Sequence, residues 1–257
     1  MKLVDSLPWQ ANLSDEPPLR LNPAQLEIPD DLDLTFVGVH HDLRGGTPDY
    51  VSDLLTMTDV IFLEQVGWTT ELRRRLQGVA DGKYVEMKKT REELERQKKI
   101  NPGNAGWDEA VYEQLYESKV RVVMPDYPKG HRGSIKPKAS RWTSANETEL
   151  WATLRDRDEF NMINICKSIL ELRRAVPAIA EKRPLRGLML AGMGHMAIAD
   201  GIAFAAQLQD ASSVNVTKLF EPGTLIREGG GEDVQRLDDA HNFVARYQTW
   251  LRSPDIA

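Results

Sequence analysis

Three apolar runs in this chain end on residues that can move protons or hold a cation. "FVGVHHD" places His40, His41 and Asp42 directly after one run, "VIFLEQ" puts Glu64 at the end of a second, and "LMLAGMGH" closes a later one with His195. The chain has five histidines, and three of them fall at two of these junctions. Two imidazoles and a carboxylate can bind a divalent metal with open positions, or can supply a general base and an acid without one. Taken singly, each has a bland alternative: a hydrogen-bonded structural histidine, or a glutamate that caps the next helix. His195 precedes a predicted helix whose dipole disfavours a charged imidazole, so the sequence favours a neutral ligand or base there.

For these residues to meet, their strands must run parallel and end on one edge. Short β-branched or apolar runs occur at 34–39, 60–65, 120–125, 185–192 and 214–220. The segments between them read as helices. Thr47 and Pro48 suit a helix start, followed by Val51, Leu54 and Leu55 at helical spacing. A longer helix is signalled by the capping-box spacing of Ser144 and Glu147 and by a stripe of Leu150, Leu154, Met162, Ile165, Ile169 and Leu172. Segments 196–209 and 238–252 also have helical patterns.

Strands alternating with helices predict an α/β fold with a layered, mainly parallel or mixed sheet flanked by helices. Residues 1–30, rich in Pro, Asp and Asn, are expected to form an extended arm. Residues 31–257 are expected to make one α/β domain with a charged helical excursion over about 71–118. In parallel sheets ligands bind beyond the carboxyl ends of the strands, where His41, Glu64 and His195 are predicted to converge.

Composition narrows the partners. With 257 residues, 41% hydrophobic and 28% charged, the chain has ordinary globular composition. A net charge of −6 and a pI near 5.5 give no basic field for nucleic acid or an anionic membrane. The single cysteine, Cys166, rules out an internal disulfide and a cysteine-rich metal site. No signal peptide and no apolar run of about 18 residues appears, so a cytoplasmic location is expected. The last predicted helix can pack on its own domain or on a second copy, which leaves a homo-oligomer open.

The ordered motifs resemble the TraB/Tiki superfamily and the more distant ChaN-like and erythromycin-esterase-like proteins. The resemblance rests on "GVHH" (Gly38 to His41), "FLEQ" (Glu64), "RDEFNM" (Arg157 and Asp158) and "GMGH" (Gly192 to His195), in that order over residues 34–220. "VVMPDY" resembles a further strand ending in an aspartate, Asp126. The chain departs from the pattern at Val39, where ChaN-like proteins and the esterases often carry Glu. It departs again at Asn161, which takes a position usually held by Met, and at Ile198, where Gly is common.

The resemblance implies a hydrolase, since some members are metal-dependent proteases and others cleave an ester. In the metal-dependent form, His41, Glu64 and His195 would hold Mn, Co or Zn, and the substrate would be a peptide or another amide. In the metal-free form, His41 would take a proton from water with Glu64 raising its basicity, while His195 and Arg157 stabilise the oxyanion. His40, Asp42, Asp126 and Asp158 are the expected substrate-binding residues around a peptide or small molecule. A non-enzymatic alternative keeps the scaffold and binds haem or another ligand, with Met189, Met193 and Met196 near His195. Against Arg157, the alternating charges of "RDRDE" also fit a solvated, self-paired helix face.

Overall fold

The computed structural model of the chain describes residues 10–11, 26–39, 50–65, 67–100, 109–116, 118–131, 147–195, 197–220, 245–246 and 249–250. Strands β2 (Leu32–Val39), β3 (Val60–Leu63), β4 (Arg121–Val123), β5 (Leu185–Gly192) and β6 (Val214–Phe220) pair in parallel. A two-residue strand, β1 (Gln10–Ala11), adds to β6 antiparallel, so the sheet order is β1-β6-β2-β5-β3-β4.

Near-continuous apolar sequence makes these strands central. All four residues of β3 are buried, as are six of the eight in β5, because both sheet faces are covered. Alternate side chains divide between two cores. On one face Val37, Val39, Ile61, Leu63, Leu188 and Leu190 pack with α1 (Tyr50–Thr56), α2 (Thr70–Ala80), α3 (Tyr84–Ile100) and α4 (Glu109–Tyr116). On the other, Leu34, Phe36, Phe62, Met189 and Ala191 pack with α5 (Glu147–Ala175), α6 (Pro177–Ala180) and α7 (Ala197–Leu208). The result is a three-layer α/β/α arrangement.

The charged segment after β3 forms α2 and α3. Their apolar residues Leu76, Val79, Met87 and Leu94 are buried in the first core, while Glu71, Arg74, Glu93 and Arg96 pair along the outer surface.

Helix α5 fixes the geometry of the site because it runs against the strand direction. Near its end Arg173 donates to the carbonyls of Asp30 and Asp31, where β2 begins. Fifteen residues earlier Asp158 meets His195, where β5 has ended. The first turns of α5 therefore stand at and beyond the carboxyl edge of the sheet.

Cys166 lies on the buried stripe of α5 among Ile165, Ile169 and Phe62. Burial pushes its thiol up to about 12. Native protein is therefore expected to leave the thiol unlabelled by a disulfide-exchange reagent at pH 8, while urea-unfolded protein reacts at once. Labelling of the native state faster than unfolding would contradict this burial.

Candidate active site

The chain leaves β3 with Glu64, whose N–H still donates to the Leu190 carbonyl of β5 at 3.1 Å. This last rung holds the side chain beside the end of β5. There the Gly192 N–H donates to Glu64 Oε2 at 2.6 Å. The other oxygen, Oε1, accepts from Arg157 Nη2 at 2.6 Å and lies 3.2 Å from His195 Nε2. One carboxylate is thus gripped by a strand-end amide, a helix guanidinium and an imidazole.

Two further carboxylates complete the network. Asp126, just past β4, accepts from Arg157 Nε at 3.1 and 3.0 Å through its two oxygens, and Arg157 Nη2 also reaches Asp126 Oδ2. The Tyr127 N–H donates to Asp126 Oδ1 at 2.8 Å, and Trp68 Nε1 donates to the Asp126 carbonyl at 2.6 Å. On the opposite side, Asp158 Oδ1 hydrogen-bonds His195 Nδ1. Arg157 and Asp158 are neighbours in sequence on one helix, so about 100° of helical rotation points one at Glu64 and Asp126 and the other at His195.

These groups are withdrawn from water. Asp126 and Asp158 side chains are fully buried, His195 is 4% exposed, and the residual access belongs to Glu64 at 10% and Arg157 at 17%. Burial alone would neutralise His195, but the charges of Glu64 and Asp158 outweigh it and its pKa is pushed up to about 10. Burial likewise opposes the charge on Arg157, and Glu64 and Asp126 overcome it, raising its pKa.

The expectation of a neutral His195 is therefore corrected. The residue does sit in a short 3-10 turn (Met193–His195) ahead of α7, as the dipole argument requires. Two carboxylates in direct contact exceed the partial charge of a helix end. The solvated-face reading of "RDRDE" is corrected as well: Asp156 is exposed, but Arg157 and Asp158 enter the network and Arg155 is buried.

Five residues singled out in the sequence, Glu64, Asp126, Arg157, Asp158 and His195, come together in this one cluster. Asp126 and Asp158 do so as buried partners of Arg157 and His195 rather than as groups facing a substrate. His40, His41 and Asp42 lie outside the described residues. The strand that leads to them ends at Val39, in register with Gly192. Met189 is a core residue of the second face.

Two further polar residues of α5, neither of them expected at the site, are buried beside it. Asn161 is fully buried, and among the described residues neither its amide nitrogen nor its oxygen has a hydrogen-bond partner. It lies one helical turn from Arg157 and Asp158, where an unsatisfied amide can receive a water or a ligand group. Arg155 is the second. The only cue available in sequence was its position on the buried stripe between Trp151 and Asp158.

Donor chemistry tests whether a divalent ion fits. Glu64 Oε1 and His195 Nε2 face each other, and among the described residues no group of three or more His, Cys, Asp or Glu side chains is arranged to hold a metal. Arg157 donates to that same oxygen. The third expected ligand, His41, lies outside the described residues.

Compared with protein-family models, curated proteins and solved structures, the chain matches none. Among the described residues no helix is long and apolar enough to cross a membrane.

Proposed function

We propose that the chain is a hydrolase of the TraB/Tiki and erythromycin-esterase-like kind, working without a metal at the carboxyl edge of its sheet. The observation that carries this reading is the buried Asp158–His195–Glu64–Arg157 chain of contacts. It gathers charged groups from two strand ends and one helix onto a single carboxylate oxygen. Buried, mutually coupled charges of this kind cluster at acid–base sites.

In this reading His195 is the proton donor. Asp158 fixes its Nδ1, so the proton on Nε2 faces Glu64 and the reacting centre. Water adds to the substrate carbonyl carbon while His41 takes its proton. The carbonyl oxygen, now negative, is stabilised by the Arg157 and His195 cations. When the carbon–oxygen or carbon–nitrogen bond of the leaving group breaks, the Nε2 proton goes to that group and His41 holds the one taken from water. Glu64 and Arg157, the two members with residual exposure, form the floor on which the substrate rests.

The test is turnover of a panel of p-nitrophenyl esters and peptide amides by untagged protein, with and without chelator, beside Glu64→Gln and His41→Ala. Chelator-resistant hydrolysis that falls at least about 100-fold in Glu64→Gln is expected. Near-stoichiometric Mn, Co or Zn by elemental analysis, lost in His41→Ala together with activity, would replace the metal-free mechanism with a metal-dependent peptidase. An absence of turnover on every ester and amide would refute the hydrolase reading.

A further inference from the structure

Beyond Asp158, α5 continues for three turns past the strand ends, and this overhang carries a small cluster of its own. Trp151 and Ala197 are buried there, with Leu154 and Trp250 packed against them. The two indoles lie 5.7 Å apart. Into this apolar setting the chain sends a cation: the Arg155 guanidinium lies 5.2 Å over the Trp250 ring, and the residue is 1% exposed.

Arg155 is buried but not satisfied. Among the described residues its Nε and Nη1 make no hydrogen bond, and the Asp156 carboxylate is 3.9 Å from Nε, beyond hydrogen-bonding distance, on a side chain that is 61% exposed. Two residues later Arg157, whose side chain is 17% exposed, makes four donor contacts to Glu64 and Asp126. A guanidinium cannot relieve burial by losing its proton, as a lysine or histidine can. A charge held out of water with open donors calls for an anion.

We propose that Arg155 is the anchor for an oxyanion, a carboxylate or phosphate group, on the ligand of the adjoining Glu64–His195 site. The assignment rests on the hydrolase reading for the ligand's reactive end, but the anion site stands on its own geometry. Arg155 is about 4.5 Å further along the helix axis than Asp158, a separation that one small substrate spans. The indole of Trp250 covers one face of the guanidinium, which leaves the in-plane N–H groups as the donors for oxygen. The substrate class is therefore anionic: an ester or amide bearing a negative group a short distance from the scissile bond.

The test uses the full chain and two probes, acetate and inorganic phosphate, each titrated at constant ionic strength against chloride while tryptophan emission and melting temperature are followed. Saturable binding of at least one probe to the wild type is expected, at least tenfold weaker in Arg155→Met and within tenfold of wild type in Arg155→Lys. The probe that binds tells whether a carboxylate or a phosphate is preferred. Absence of saturable binding to the wild type overturns the proposal, as does unchanged binding in a folded Arg155→Met protein. Should Arg155→Met fail to fold, Arg155→Gln takes its place with the same expected loss. Binding retained in Glu64→Gln, which removes turnover, separates failure of the hydrolase reading from failure of the anion site.

Discussion

Replacing Arg157 by methionine is expected to cost about 3–5 kcal/mol of folding stability, the range for stranding buried carboxylates without their cation. Arg157 makes every guanidinium contact that Glu64 and Asp126 have among the described residues, and both acids are nearly out of water. Glu64 would keep the Gly192 N–H and Asp126 the Tyr127 N–H, but neither amide carries the charge that offsets burial. Lysine at the same position should recover only part of the loss, because one ammonium cannot present Nε and Nη2 to two carboxylates at once. The comparison that isolates burial is Arg74→Met: Arg74 also holds a carboxylate, Glu71, at 2.8 Å, but both side chains are more than half exposed. That substitution should change stability by about 0–1 kcal/mol. Urea unfolding of the three variants beside wild type measures all of this, and an Arg157→Met loss under about 1 kcal/mol would mean the network is held open by water.

Much of this arrangement was legible in the sequence because the relevant signals are local. Strands β2, β3, β5 and β6 announce themselves as apolar runs of the right length, and parallel pairing follows from the helical segments between them. Once parallel, their ends must share an edge, and residues at the ends of β3 and β5 must converge there, which is how Glu64 and His195 were found. What periodicity could not tell was which polar residues of α5 face inward. Arg155, Asp158 and Asn161 sit on or beside the buried stripe of Trp151, Met162, Ile165 and Ile169, yet by composition they look like surface. Their burial is decided by where the helix crosses the sheet edge, a tertiary fact. The state of His195 was misjudged for a related reason: the helix that follows it is visible in sequence, while Asp158, 37 residues away, and Glu64, 131 away, come to it only through the fold.

That misjudgement leads to the second large effect. His195 has its pKa raised from 6.5 to about 10 by Glu64 and Asp158 against the opposing effect of burial. A group whose folded pKa exceeds its unfolded one stabilises the fold fully below the unfolded value, and the contribution is lost as pH rises through the folded value. Chelator-treated wild type should therefore lose stability between about pH 6.5 and pH 10, over and above a His195→Asn variant that cannot titrate there. The variant should be much the weaker protein at pH 6 and should approach wild type by pH 10.5, so the two curves of unfolding free energy against pH converge from the acid side. Imidazole nitrogen resonances give a direct reading: at pH 8 both His195 nitrogens should carry protons. A neutral ring at that pH, with parallel stability curves, would mean that one of the two carboxylates holds the proton instead. Glu64 is the member with access to solvent, so the acid of the proposed mechanism would then be Glu64, with His195 as its acceptor, and the direction of proton flow through the site would reverse.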